Sequence, residues 1–250
     1  MLFLVSCSST VKNSNHLSLD QLISEKKIRI GTTEDYRPFS YRDDNGHLIG
    51  IDIDLANNLA ASLGATVEFV KTSWPNLMKD FADHKFDIAI SGISKNLERQ
   101  KIALFSKGYF KSGKTPIARC SDKNKFSDLA SIDKKTNRII VNPGGTNFKF
   151  ASQNIKNAQI ITFDNNVKIF DEIKDGRADV MITDSVEADL QAFLNKNKLC
   201  RTMPNKTFDT SEKAILIQRD LFTKEFINAW LEQIEQDGTL KLIIQRHTNF

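Results

Sequence analysis

Leu77-Met78-Lys79-Asp80-Phe81-Ala82-Asp83-His84-Lys85-Phe86-Asp87-Ile88-Ala89-Ile90-Ser91 lies without a gap over Ile169-Phe170-Asp171-Glu172-Ile173-Lys174-Asp175-Gly176-Arg177-Ala178-Asp179-Val180-Met181-Ile182-Thr183. The offset between them is 92 residues throughout. Each copy reads as an amphipathic helix, a tight turn, an aspartate, a short apolar strand and a hydroxyl residue where the strand ends. Helix-turn-strand units share such patterns generally, so coincidence is the alternative. Two similar α/β lobes is the simpler explanation.

The flanking sequence continues the alternation. Ile28-Arg29-Ile30-Gly31-Thr32-Thr33 reads as a strand breaking into a polar loop. Asn45-Gly46 between Pro38–Tyr41 and His47–Ile49 marks a hairpin, because both residues tolerate positive φ. Leu55, Leu59 and Leu63 give a helix that Asp52 is placed to cap and Gly64 to stop. Val67–Val70 is a further strand, and Pro75 opens the helix through Phe81. A second round begins at Arg138–Val141, breaks at Asn142-Pro143-Gly144-Gly145 and enters a helix near Thr146. Strand and helix in alternation predict mostly parallel sheets with helices on their faces. Leu221–Ile234, apolar along Phe226, Ile227, Trp230, Leu231 and Ile234, reads as a packing helix.

The bulk properties exclude more than they select. The chain has 250 residues, 40% apolar and 26% charged, with 35 basic and 31 acidic residues well interspersed. No basic block forms a nucleic-acid footprint. The net charge of +4 fits an anionic small ligand only weakly. His16, His47, His84 and His247 lie far apart and none pairs with a cysteine at ligand spacing, so no metal site is expected.

Met1-Leu2-Phe3-Leu4-Val5-Ser6-Cys7 ends like the Leu-x-x-Cys processing site of bacterial lipoproteins, which makes Cys7 a candidate for lipidation. The apolar run is short for a signal peptide and no Lys or Arg opens it, so this reading requires a longer leader. A frayed cytosolic N-terminus is the alternative. Export would make a Cys120–Cys200 disulfide reasonable; otherwise the two are buried thiols. Such a bridge closes an 80-residue separation, for up to about 4 kcal/mol on the chain-entropy argument. No later apolar run is long enough to span a bilayer.

In open α/β sheets, ligands gather beyond the C-terminal strand ends. That nominates Thr32-Thr33, Ser91 to Ser94, Gly144 to Asn147 and Thr183 to Glu187. Gly144-Gly145-Thr146-Asn147 at a helix start suits a carboxylate, though a Gly-Gly turn is often only a turn. Arg99 can pair bidentately with a carboxylate, or it is a surface arginine beside Glu98. Trp74 walls a pocket or packs the core. Lys114 reaches the cleft or is a solvated loop lysine. Asp184 and Glu187, three apart, share a face at a helix start, where they cap the helix, bind an amine or supply a proton.

With these residues in place, the frame resembles the bacterial extracellular solute-binding proteins for amino acids. The resemblance is carried by Ile30-Gly31-Thr32, Pro38-Phe39, Gly50-Ile51-Asp52-Ile53-Asp54-Leu55-Ala56, Phe86-Asp87-Ile88-Ala89, Glu98-Arg99 and Asp237-Gly238, and covers about residues 28 to 246. It implies a periplasmic-binding-protein-like type II fold, α/β, with two lobes and a ligand cleft between them. The expected division is 1–26 leader and tether, 27–117 plus 206–250 the first lobe, and 118–205 the second. Within this frame, several segments look specifically like the cyclohexadienyl dehydratases, periplasmic enzymes that act on prephenate and arogenate. They are Thr72–Met78, Ser91-Gly92-Ile93-Ser94 with Asn96–Gln100, Gly113–Ile117, Val141–Asn147, and Thr183-Asp184 with Glu187-Ala188. Amino-acid receptors of this frame often carry an acidic residue where Thr33 stands, to meet the ligand's amino group. Thr33 agrees instead with the dehydratase pattern, since an unpaired buried carboxylate beside a carbonyl is costly.

The resemblance implies an acid, Glu187, that protonates the departing ring hydroxyl, a step typically worth about 10²–10⁴-fold. It implies a carboxylate-bearing substrate held by Arg99, Lys114, Thr146 and Asn147 with Ser94 assisting. Thr33, Ser91 and Asp184 sit beside it and Trp74 lies against the ring. No cofactor is implied, and the setting is periplasmic, with a lipid anchor at Cys7 as a further expectation. Transport receptor and sensory module are the competing readings. A receptor has no use for a proton donor facing its ligand. Oligomeric state and the ranking of prephenate against arogenate stay open.

Overall fold

The computed structural model describes residues 18–250, and the two copies of the repeat lie in two separate five-stranded sheets. The first runs, edge to edge, Thr66–Lys71, Lys27–Thr32, Ile88–Ala89, Leu216–Ile217 and Leu104–Phe105. The second runs Gln159–Thr162, Arg138–Val141, Val180–Asp184, Lys114–Arg119 and Leu199–Arg201. In each, the first three strands are parallel and the fourth is antiparallel to the third. Helices cover both faces, which explains the near-continuous apolar strands. In the second sheet Ile140 and Met181 pack under helices Ile169–Lys174 and Ser185–Leu194, while Ile139, Val141, Val180 and Ile182 pack on the opposite side with Ala151 and Ile155.

The aspartate of each copy does the same work. Asp87 accepts from the backbone and guanidinium of Arg29, at 2.8 and 2.6 Å. Asp179 accepts from the backbone and guanidinium of Arg138, at 2.9 and 2.8 Å. Each thereby ties the start of the third strand to the start of the second.

The chain passes between the sheets twice, and the two passes touch. Phe110–Ser112 pairs antiparallel with Ser211–Lys213, and a Cβ on Gly113 would lie 2.1 Å from the Asp209 carbonyl oxygen. The lobes are closed on one another: Gly144, at φ +80°, sits where a Cβ would come within 2.5 Å of Pro75 Cα. A disulfide joins Cys120 to Cys200 in the second lobe, with a Cα–Cα distance of 4.8 Å.

Several expectations are corrected. The tether does not extend to residue 26, because Leu19–Glu25 is a helix with Ser18 in a capping box and Leu22 buried in the first core. Lys114–Arg119 joins the second sheet, so the first crossing falls at Gly113 rather than after 117. Asp52 is not a cap; the helix starts at Ile51, and Asp52 turns inward to the Gly92 N–H and the Tyr109 hydroxyl. Cys7 and the rest of the expected leader lie outside the described residues.

Candidate active site

The strand ends of the two sheets face each other across a narrow cavity. Tyr36, Trp74, Gly92 and Ser94 line it from the first lobe; Asn142, Gly145, Thr146, Asn147, Asn166 and Asp184 from the second; and Lys213 from the return crossing. Of the residues nominated from sequence, the fold therefore brings Trp74, Ser94, Thr146, Asn147 and Asp184 to the cavity. Thr33, Ser91, Arg99, Lys114 and Glu187 stand behind that wall.

Ser91 is the centre of a neutral net. It bonds the Thr33 backbone N–H at 3.0 Å and the hydroxyls of Thr33 and Ser40 at 2.9 and 2.7 Å. This organises the loop carrying Tyr36, whose ring Gly92 must accommodate: at φ +59° a Cβ there would lie 2.5 Å from it.

Asp184 is the charged counterpart. It is N-terminal to helix Ser185–Leu194 but makes no cap bond. Its Oδ1 accepts from Lys114 at 3.0 Å and its Oδ2 from Lys213 at 2.6 Å, with the Tyr36 hydroxyl also on Oδ2. Burial alone would raise this carboxyl, but Lys114, Lys213 and the bonds they and Tyr36 make hold it well below the usual carboxylate range. Both lysines are buried. Lys114 also donates to Thr146 Oγ1 at 3.0 Å and to Asn147 Oδ1, so all three ammonium donors are used. It orders the helix start of Thr146–Asn154 rather than facing the cavity.

Arg99 is no surface residue: it is 8% exposed. One nitrogen donates to the Ser94 carbonyl at 3.0 Å, and among the described residues no carboxylate forms an ion pair with it. Burial lowers it to about 10. A buried cation without an anion is costly, and an anionic group brought near it would offset that cost.

Glu187, 2% exposed, accepts from the Thr183 hydroxyl, which in turn accepts from Asn147 Nδ2 at 3.1 Å. Burial, with the Asp184 charge adding to it, raises its carboxyl to about 8 against the pull of Thr183 and the two lysines. It is a protonated acid at neutral pH. Glu187 lines a pocket adjoining the cavity, with Asp35, Arg37 and Gln191, and Asn166 lines both spaces.

Lys213 and Tyr36 escaped the sequence reading. Lys213 sits 1% exposed, 2.9 Å from Ser94 Oγ and 5.3 Å from the Tyr36 ring centroid; burial lowers its pKa. The one signal was a lysine abutting the apolar run Ala214–Ile217, a poor place for a solvated charge. Asn142 and Asn166 were also passed over, and each presents a buried amide oxygen without a partner among the described residues.

The chain matches the Bacterial extracellular solute-binding proteins, family 3, over residues 28–250. It is 51% identical over 223 residues to the cyclohexadienyl dehydratase of Pseudomonas aeruginosa, covering 89% of this chain and 83% of that protein. It is 29% identical over 246 residues to a probable amino-acid ABC transporter-binding protein of Haemophilus influenzae, covering 94% and 89%. Among solved structures, it superposes with a TM-score of 0.85 and 34% identity on an ancestral amino acid-binding protein described as a precursor of cyclohexadienyl dehydratase, covering 92% and 99%.

Proposed function

The chain belongs to the bacterial extracellular solute-binding proteins of family 3, and from that premise we propose that it is a cyclohexadienyl dehydratase, a lyase that converts prephenate to phenylpyruvate and arogenate to phenylalanine. Two things support the reading: the 51% identity to an enzyme of that name and, as the observation that carries it, the Glu187 carboxyl, buried next to the cleft and pushed up by that burial to about 8. A transport receptor that only holds and releases its ligand needs no such group.

The reaction asks little more. Glu187 gives its proton to the ring hydroxyl, the C–O bond breaks and water leaves. The ring carboxylate departs as CO2, and the electron pair of the broken C–C bond completes the aromatic ring. Proton transfer from a positioned acid supplies about 10²–10⁴-fold. Lys213, with Ser94 and the Thr146-Asn147 helix start, takes the substrate's carboxylates at the cavity wall, and Arg99, bonded behind Ser94, adds its positive charge to that side. Lys114 and Asp184 hold that helix start and Lys213 in place, a positioning role rather than the direct contact expected for Lys114. Thr33 and Ser91 act at one remove, by shaping the Tyr36 loop, and Trp74 packs on the ring. The hydroxyl-bearing end of the substrate faces the Asn166 side, where Glu187 stands nearby. Lobe closure excludes water and brings these groups together.

Family membership gives an extracellular or periplasmic setting; retention at the membrane through Cys7 is part of the proposal. Purified protein given prephenate should release phenylpyruvate, and Glu187→Gln should lower kcat by at least 100-fold. Tight amino-acid binding with no turnover by the wild type would make it a receptor instead.

A further inference from the structure

Asn166 is buried, at 6% exposed, and its amide is oriented by a contact across the cleft. Nδ2 donates to the backbone carbonyl of Asp35, in the first lobe, at 3.1 Å. The reverse orientation would set two carbonyl-type oxygens against each other, so the bond decides which atom is left over. That atom, Oδ1, is buried and has no partner among the described residues. A buried acceptor without a donor is costly, and a ligand can remove that cost only by bringing an N–H or O–H.

Its position says which donor. Among the described residues, Asn166 lines both the central cavity and the pocket that contains Glu187. Asn142 Oδ1 is also unpartnered, but Asn142 lines only the cavity. A group lying against Asn166 thus meets the acid's side of the site as well as the ring's. The leaving hydroxyl has one hydrogen to donate and lone pairs to receive one. We infer that Asn166 is a catalytic residue that accepts the hydrogen bond of the departing ring hydroxyl and so turns its lone pair toward Glu187. The inference rests on the dehydratase reading above.

The step balances. The hydroxyl donates its hydrogen bond to Asn166 Oδ1 and takes the Glu187 proton. The C–O bond then breaks toward oxygen, and the water formed keeps its bond to Asn166 while CO2 departs. Glu187, now a carboxylate, regains a proton from solvent. Because the Asp35 carbonyl belongs to the opposite lobe, the acceptor is aimed only when the lobes close. Protonation is thereby tied to closure.

The test uses prephenate turnover together with two aromatic ligands that differ only at the ring position of the leaving group, phenylpyruvate and 4-hydroxyphenylpyruvate. The wild type should bind the 4-hydroxy compound about tenfold more tightly, the scale of one hydrogen bond to a buried acceptor. In Asn166→Leu that preference should fall below threefold, phenylpyruvate affinity should stay within threefold, and kcat for prephenate should drop at least tenfold with a much smaller change in KM. Asn166→Ser, too short to reach, should behave alike and serves if the leucine packs badly. A wild type that turns over prephenate, with the 4-hydroxy preference and kcat unchanged in a folded Asn166 variant, overturns the inference alone. A wild type without turnover overturns the dehydratase reading instead.

Discussion

Ser91-Gly92 and Thr183-Asp184 hold the same place in the two copies of the repeat, yet the lobes surround them differently. At the first, Ser91 is ringed by Thr32, Thr33 and Ser40, all neutral hydroxyls. At the second, Asp184 binds two buried lysines, and Glu187 stands one helical turn on. The position equivalent to Glu187 in the first lobe is Lys95, exposed and outside the cavity lining. The common part, an aspartate stapled to an arginine at the strand start, is structural in both. At the matched strand ends, where a ligand can reach, the lobes differ in charge. A repeated α/β unit can therefore keep its scaffold while its strand ends carry different side chains.

Removing the Asp184 carboxylate should break this contrast most visibly. Asp184→Ala strands Lys114 and Lys213, and denaturant unfolding should show a loss of about 3–5 kcal/mol, the usual cost of leaving a buried charge unpaired. A loss below about 1 kcal/mol would mean the lobes open and hydrate both lysines.

The pH dependence of stability separates the lobes next. Glu187 titrates near 8 in the fold against an ordinary 4.5. Between those values the folded chain holds a proton that the unfolded chain has released, so stability falls as pH rises through the window, by up to about 1.4 kcal/mol per pH unit. Asp52 of the first lobe, raised by burial from 3.8 to about 6, adds the same sign at lower pH. Between pH 6.5 and 7.5 the slope should be mostly Glu187's, and Glu187→Gln should flatten it there. A slope unchanged in that variant would contradict the raised carboxyl. Activity should decline above pH 8, as the acid loses its proton.

The smallest effect belongs to the neutral net. Ser91→Ala leaves the Thr33 N–H and three hydroxyls without their shared partner, for about 1–2 kcal/mol by thermal or denaturant unfolding. Because no charge is involved, the loss should be the same at pH 6 and pH 8. A loss that changes with pH would show that the first strand end also feels the charged cluster.

Much of this was legible in the chain. The strands and helices follow from periodicity, Gly46 from its turn, and the twin lobes from a gapless overlay, because each depends on near neighbours. Three of the four nominated strand ends, Ser91 to Ser94, Gly144 to Asn147 and Thr183 to Glu187, contribute to one cavity lining, and Thr32-Thr33 does not. Sequence could not tell which side chains would face the cavity. Arg99 beside Glu98 reads as a surface pair until helix Leu97–Gln100 turns the guanidinium inward. Asp184 at a helix N-terminus reads as a cap until Lys213, 29 residues on, takes its oxygen. Lys213 itself lies on the return crossing, far in sequence from every other cavity residue except Asp184.

The sequence by itself determined the α/β class, the duplication, the resemblance to a dehydratase and the candidate acid, since patterns and motifs are local. Only the tertiary structure decided that Lys114 bonds Asp184 and the Thr146-Asn147 helix start, that Lys213 lines the cavity, that burial pushes the Glu187 carboxyl up and that, among the described residues, Asn166 Oδ1 has no partner. Desolvation and the pairing of charges depend on everything packed around a group, and that packing exists only once the two lobes meet.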